Sequence, residues 1–143
     1  MSKGDTFEND LVKLIFNATA IANIADNAAT SPLTQLFVAL HTADPGEAGT
    51  QSTSEISYTG YARVAINRNS GGFTVTGNSV SPAANIDFGN MTAGAGGTVT
   101  FFSIGVASSG ATKILYSGAV SPSIVVTTGV TPRLTTASTI TED

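Results

Sequence analysis

The sequence predicts a mainly β protein, an antiparallel β-sandwich of the jelly-roll type with one N-terminal helix. Three observations carry this prediction. Short runs of strand-forming, often alternating residues follow one another from residue 33 onward, turn residues separate these runs, and a helical spacing of apolar residues stands out only in the first segment. About eight strands at this spacing indicate a two-sheet sandwich, and a jelly roll also uses eight strands.

The first segment carries the signals of a helix start and one apolar stripe. Asp5 or Thr6 is placed to cap the helix, and Glu8 follows Asp5 by three residues. The residues of the stripe recur at helical spacing: Phe7, Leu11, Leu14, Ile15 and Ala18. A less regular continuation is predicted over residues 20–25. Two interpretations of the stripe stay open: it packs within its own domain, or it docks on another subunit.

The strand predictions begin after Ser31-Pro32, where the periodicity changes. The predicted strands cover residues 33–42, 58–68, 73–76, 86–88, 98–106, 113–120, 124–127 and 133–140. Gly, Asn, Ser and Pro between them provide turns, and Thr and Val suit a pleated surface. We therefore expect residues 1–30 to form an N-terminal helical segment and residues 31–143 to fold as a single β-sandwich domain.

One predicted connection, residues 44–57, is too long for a hairpin. Loops of about fourteen residues are uncommon and are usually binding elements or disordered linkers. The connection is therefore either a mobile surface loop or an arm that contacts a partner. The residues expected to bind a partner are drawn from this connection and from the helical stripe: Phe7, Leu11, Leu14, Asp44, Pro45, Glu47 and Glu55.

Charged residues are scarce, and hydroxyl residues are abundant. Lys and Arg number 6, Asp and Glu number 10, and the charged fraction is 11%, against about 25% in an ordinary domain. Such a surface repels its neighbours little, which favours a structural or binding subunit that lies against other subunits. The basic residues are scattered and form no stripe, so we expect no nucleic-acid partner.

Composition also limits the chemistry and the location. The chain has no Cys, which excludes disulfides and thiolate metal sites. The start is polar, and no apolar run reaches the roughly 20 residues of a membrane span. We therefore expect synthesis in the cytoplasm and no membrane partner.

Candidate catalytic and metal-binding residues are few. His41 is the single histidine and precedes Asp44 by three residues, but a triad is defined by geometry, so a structural histidine is the favoured interpretation. The carboxylates from Asp44 to Glu55 lack the alternating spacing of a calcium loop. The Gly-rich segment 94–97 lacks the lysine of a phosphate loop. We expect no catalytic residue, no metal and no cofactor.

Two motifs carry a specific resemblance to known proteins: residues 40–46, Leu-His-Thr-Ala-Asp-Pro-Gly, and residues 58–63, Tyr-Thr-Gly-Tyr-Ala-Arg. Weaker matches lie at residues 14–28, 72–78, 104–110 and 113–118. With these segments, nearly the whole chain resembles a family of small structural proteins of tailed bacteriophages, whose members are often labelled tail fibre proteins. It is also similar to the jelly-roll capsid cement proteins of Bordetella-type phages.

This resemblance implies a virion structural protein on the capsid exterior. Such a protein, as a homodimer, binds neighbouring major capsid proteins and stabilises the expanded shell. The resemblance implies no catalytic residue. The alternative is a tail fibre or tail-associated adhesin module that binds a host surface receptor. The sequence shows neither repeats nor a coiled-coil heptad, which favours the capsid over a long fibre shaft.

Overall fold

Antiparallel strands dominate the computed structural model, which describes residues 5–21 and 32–142. Its elements are α1 (Asp5–Asn17), β1 (Gln35–His41), β2 (Val64–Asn67), β3 (Phe73–Thr76), β4 (Ser79–Pro82), β5 (Ile86–Asp87), β6 (Gly97–Gly105), β7 (Ile114–Val126), β8 (Arg133–Leu134) and β9 (Ile140–Thr141). They form sheets in the orders β2-β1-β6-β7, β3-β4-β9 and β5-β8. The predicted fold class, a mainly β antiparallel sandwich with one helix, is confirmed; the jelly-roll topology stays a prediction.

The chain divides into two compact units. The first groups α1 with β3, β4 and β9, and the second contains most of β1, β5, β6, β7 and the connection that follows β1. Each unit combines segments that are distant in sequence. The predicted division into residues 1–30 and 31–143 stays a prediction.

In the first unit, α1 packs against β3 through a buried aromatic pair. Phe16 and Val12 are fully buried, and the Phe16 ring meets the edge of Phe73 with 4.9 Å between ring centroids. The buried stripe is therefore centred on Val12 and Phe16, four residues apart, whereas Leu11 and Leu14 are half-buried.

The end of α1 is closed by its backbone and by an arginine. Ala18 has a φ of 54°, and the Thr19 N–H donates to the Lys13 carbonyl, which is the pattern of a helix C-terminus. The Arg68 guanidinium donates to the carbonyls of Leu14 and Ile15 in the last turn. Of the predicted continuation over residues 20–25, residues 22–25 lie outside the described residues.

The second unit is built on the central pair β1 and β6. Their register places Val38 opposite Ile104 and Leu40 opposite Phe102, and all four side chains are buried. The alternation between faces puts His41 and Ser103 on the opposite side of the same strands. Both of these polar residues are also buried. The connection between β1 and β2 therefore covers this second face.

Several strand boundaries differ from the sequence prediction. β7 is one strand where two were predicted. Between the pairs Val99–Ile124 and Phe101–Ala119 the register shifts, so residues 120–123 of β7 lie opposite the single residue Thr100 of β6 and form a bulge. β4 was missed because Ser79–Pro82 contains one apolar side chain in its interior, Val80. The predicted strand 133–140 is two short strands, β8 and β9, with a turn between them.

Candidate functional site: the Arg63 cluster

The long connection between β1 and β2 folds back onto the sheet. The Thr42 N–H donates to the Ser54 carbonyl, and the Ile56 N–H donates to the Leu40 carbonyl. Gln51 and Ile56 are buried within the second unit. The connection runs over residues 42–63 and is longer than the predicted 44–57. Its second half contains the buried Gln51 and Ile56 but leaves residues 52–54 and 57 exposed. We call residues 42–48, all exposed except Pro45, the apex of the connection.

Arg63 and Glu55, both residues of this connection, form a largely buried ion pair. Arg63 Nε donates to Glu55 Oε1 at 2.8 Å, and Arg63 Nη2 donates to Glu55 Oε2 at 2.7 Å. The side chains are 2% and 17% exposed. This two-point geometry combines charge with two parallel hydrogen bonds. The hydrogen bonds that Arg63 donates to Glu55 raise the pKa of Arg63, so the guanidinium remains charged.

The remaining donors of Arg63 reach Gln51 in the same connection and the loop between β6 and β7. Arg63 Nη1 donates to Gln51 Oε1 at 3.3 Å and to Thr112 Oγ1 at 3.2 Å. The carbonyls of Ala107 and Gly110 accept from Nη1 and Nη2 at 3.1 and 2.8 Å. We call Gln51, Glu55, Tyr61, Arg63 and Thr112 the Arg63 cluster. One side chain thus joins the β1–β2 connection to the loop between β6 and β7.

Tyr61 joins the Arg63 cluster to β1. Its hydroxyl donates to Glu55 Oε1 at 2.9 Å and accepts from the Leu40 N–H at 3.1 Å. Burial raises the pKa of Tyr61 well above its ordinary range. The phenol therefore stays protonated at every physiological pH and acts as a fixed donor to Glu55.

His41 and Ser103 lie within the distance of a nucleophile and its base, at 2.7 Å between Nε2 and Oγ. His41 Nδ1 lies 2.8 Å from the Thr53 carbonyl. Because a carbonyl only accepts, Nδ1 carries the proton and Nε2 accepts from the Ser103 hydroxyl. Both side chains are 0% exposed. A substrate has no access to this pair, and its hydrogen bonds attach the connection to the sheet.

The burial of His41 predicts a stability that falls in acid. Burial lowers the pKa of His41 below its ordinary value of 6.5. Between the pKa of His41 in the folded chain and its value of 6.5 in the unfolded chain, the unfolded chain binds the proton more strongly. The stability that neutral His41 contributes is therefore complete above pH 6.5 and is lost as the pH falls towards the folded pKa. Urea unfolding at pH 7.5 and pH 5 is expected to show a larger acid loss for the natural chain than for His41→Gln. An equal loss in both proteins would contradict this role of His41.

Gly105 allows Gln51 to approach the sheet. A Cβ at this position would lie 2.2 Å from Gln51 Cδ and 2.6 Å from the Lys113 carbonyl oxygen. We expect Gly105→Ala to displace Gln51, to cost about 1–3 kcal/mol by overpacking, and to make residues 44–57 sensitive to protease. Gly71→Ala is the control for an added methyl, because Gly71 has no positive φ and its Cβ position meets only the Asn69 Oδ1 atom, at 3.2 Å. Limited proteolysis that leaves residues 44–57 of Gly105→Ala intact would show that Gln51 does not hold the connection.

An open groove of about 480 Å³ lies beside the ion pair. Its polar lining includes Ser52, Glu55, Tyr61, Arg63, Ser108 and Ser109. The Arg63 donors are already used within the chain, and the lining offers mostly hydroxyl groups. The groove is therefore suited to hydrogen bonds with neutral polar groups rather than to proton or group transfer.

The structure places the predicted partner-binding residues in different surroundings. Asp44 and Glu47 are exposed at the apex, where the Asp44 carboxylate accepts the Gly46 N–H at 2.9 Å. Pro45 is buried, and Glu55 is held by Arg63 and Tyr61. In α1, Leu11 and Leu14 are half-buried, and the side chain of Phe7 lies outside the described residues. Partner binding by all seven residues stays a prediction.

Arg63, Gln51 and Thr112 were not predicted to be members of one cluster. The available signal was the isolated arginine in the alternating run 58–68, in a chain with few charges. A lone cation among strand residues needs a partner if it is buried. The sequence did not identify Glu55 as that partner.

Within residues 5–21 and 32–142, no group of three or more His, Cys, Asp or Glu residues is arranged to hold a metal ion. The described helix α1 is too short and too polar to cross a bilayer.

Comparison with known proteins identifies the family of the chain. Residues 3–141 match the family model described as Podophage GP4 fiber I protein gp80. No match was found among curated proteins. The family match spans all described strands and the helix. The chain therefore belongs to the Podophage GP4 fiber I protein gp80 family and is a phage structural protein.

Proposed function

We propose that this phage structural protein is a subunit of a virion fibre. The observation that carries the proposal is the family match over residues 3–141, because the description of that family names a fibre protein. The surface chemistry supports the proposal. A chain with 11% charged residues presents mostly hydroxyl and small apolar groups, which associate with neighbouring subunits without strong repulsion.

The Arg63 cluster supports a binding role for the apex of the connection. The apex, residues 42–48, is held at its base by the His41–Thr53 contact and by the Glu55–Arg63 ion pair. A preorganised loop loses less conformational entropy on binding than a free one. Asp44 and Glu47 provide negative charge at this apex, so a partner with a basic or hydrogen-bond-donating surface fits it.

Capsid cementing is the second candidate function. It is favoured by motifs 40–46 and 58–63, which resemble those of phage cement proteins, and its partners are the major capsid protein and a second copy of the chain. A protein that binds only the expanded shell stabilises that shell by mass action. Many weak contacts repeated over a closed lattice act multivalently. Both candidates place the protein on the virion exterior.

Copy number and position in intact virions distinguish the two functions. Quantitative mass spectrometry gives the ratio of this protein to the major capsid protein, and immunogold labelling gives its position. A ratio far below one with labelling at the tail supports the fibre. A ratio comparable to that of the major capsid protein, with labelling over the whole shell, would replace the fibre by the cement function.

The apex contact has its own test, because the natural chain has no Cys. Ala48→Cys, at the exposed apex, is labelled with a photo-crosslinker and incorporated into virions. Ala83→Cys, exposed in the other unit, is the matched control. We expect crosslinks to another virion protein from position 48 and fewer from position 83. Equal yields from both positions would count against the apex as the contact.

A further inference from the structure

The groove beside the Glu55–Arg63 ion pair is formed by two segments of the second unit. Its volume of about 480 Å³ falls within the range of roughly 300–1,000 Å³ that is typical of ligand sites. Arg63 holds the two segments together through Glu55 and the Gly110 carbonyl. A ligand would therefore meet walls that are already in place, which lowers the entropy lost on binding. The lining comes from the connection after β1 and from the loop between β6 and β7: residues 52, 55–57, 61–63 and 108–110.

Three serine hydroxyls of this lining are available to a ligand. Ser57, Ser108 and Ser109 are exposed, and their side chains make no hydrogen bond within the part of the chain that the structure describes. Each hydroxyl can both donate and accept. The Ser52 hydroxyl accepts from Arg63 Nη2 at 3.3 Å and keeps its own O–H as a donor. The groove therefore presents several groups that can hydrogen-bond with hydroxyls of a ligand.

Glu55 adds an acceptor to these hydroxyls. A carboxylate has about four lone-pair positions. Oε1 uses two of them for Tyr61 and Arg63, and Oε2 uses one for Arg63. One position on Oε2 is left, and the Glu55 side chain is 17% exposed. A hydroxyl in the groove can donate to this position.

The charges of the lining select a ligand without net charge. Its charged residues are Glu55 and Arg63, which compensate each other. The nitrogens of Arg63 already donate within the chain, so an anion finds no available cation and is also opposed by the net charge of −4. A cation finds a carboxylate that is already paired. A neutral polar ligand meets neither obstacle.

The lining also favours a saccharide over a peptide. Peptides commonly bind by adding a strand to a sheet edge or by placing apolar side chains in a groove. Ile56 is 2% exposed and Ala62 has a single methyl group, so the groove offers little apolar surface. A sugar ring instead carries hydroxyls around its rim and C–H groups on its faces. Tyr61 provides an aromatic surface for such C–H groups, and its ring is held by a stacked contact with Phe88 at 6.2 Å between centroids.

We propose that this groove binds a neutral saccharide whose hydroxyls hydrogen-bond with Glu55, Ser57 and Ser109. The site lies within the second unit and is the same in a fibre subunit and in a cement subunit. The inference therefore goes beyond the proposed function, and its failure would leave the place of the protein in the virion unchanged.

The test applies the purified full-length chain to an array of neutral and acidic bacterial surface glycans. Calorimetry then gives the affinity for the neutral glycan with the strongest signal. Ser109→Leu fills part of the groove, and Ser123→Leu adds the same side chain to an exposed serine of β7 outside the lining. We expect the natural chain to bind a neutral glycan, Ser109→Leu to weaken this binding about tenfold or more, and Ser123→Leu to change it little. Binding to acidic glycans alone, no binding to any neutral glycan, or equal affinities of the two variants would overturn the proposal.

A second measurement keeps the test decisive if Ser109→Leu does not fold. The isotopically labelled natural chain is titrated with the same neutral glycan, and the amide signals are followed by NMR. We expect the largest shifts at residues 55–57 and 108–110, and small shifts in β3 and β4 of the first unit. Shifts centred outside the lining of the groove would overturn the assignment of this site.

Discussion

Arg63→Met is expected to destabilise the second unit by roughly 3–5 kcal/mol, because it removes one member of a buried ion pair. The carboxylate of Glu55 would keep the Tyr61 hydroxyl as a donor but lose both hydrogen bonds from the guanidinium. The carbonyls of Ala107 and Gly110 would also lose their Arg63 donors. Urea unfolding at pH 7.5 measures the change.

Arg133→Met provides the control for the loss of an arginine. Arg133 pairs with Asp87, but the two side chains are 53% and 47% exposed. Water solvates both groups when this pair is broken, so we expect little change in the urea midpoint. If Arg63→Met shifted the midpoint no more than Arg133→Met, the buried pair would not stabilise the unit.

The double variant Arg63→Met/Glu55→Leu distinguishes the cost of an unpaired carboxylate from the cost of the lost hydrogen bonds to the carbonyls of residues 107 and 110. Removing both charges avoids an unpaired carboxylate, and buried ion pairs are often replaced by apolar residues at little cost. We expect the double variant to recover part of the stability that Arg63→Met loses. The carbonyls at 107 and 110 stay without their donor, so the recovery is incomplete. A double variant less stable than Arg63→Met would show that Glu55 contributes mainly through Tyr61.

Phe16→Ala is expected to destabilise the first unit by roughly 3–5 kcal/mol, the cost of deleting a buried phenyl ring. Phe16 is fully buried and forms the edge contact with Phe73 that joins α1 to β3. Hydrogen exchange is the suitable measurement, because it follows the amides of each unit separately when the two units unfold at different stabilities. We expect faster exchange throughout α1 and β3.

Thr19→Ala is the matched control in the same region, because Thr19 is exposed just after α1. We expect it to leave exchange in β3 unchanged. This result would support the interpretation that the apolar residues of α1 pack within their own unit. Unchanged exchange in Phe16→Ala would instead show that the packing of α1 contributes little to the unit, and would favour docking on another subunit.

The sequence predicted the elements whose signals are local. β1, β3 and β6 lie within two residues of their predicted boundaries because apolar and β-branched residues are concentrated there. α1 was predicted from its capping residues and apolar spacing. β4 was missed because its sequence resembles a turn, and the division of β7 was wrong because Ser121-Pro122 resembles a strand end.

The candidate site depended on contacts that no local pattern specifies. His41 was recognised as structural, but its partner Ser103 is 62 residues away. Arg63 and Thr112 are 49 residues apart and meet only when the loop before β7 reaches the connection after β1. Periodicity reports which face of a strand is apolar, and it does not report which loop covers that face.

The sequence by itself therefore determined the fold class, the long connection and a surface with little charge, because composition and short-range alternation contain that information. Only the tertiary structure decided that the connection is packed onto the sheet, that Arg63 joins this connection to the β6–β7 loop, and that Val12 and Phe16 are the buried residues of α1. The physical reason is that burial and ion pairing are free energies between segments distant in the chain. They exist only after the sheet has brought those segments together.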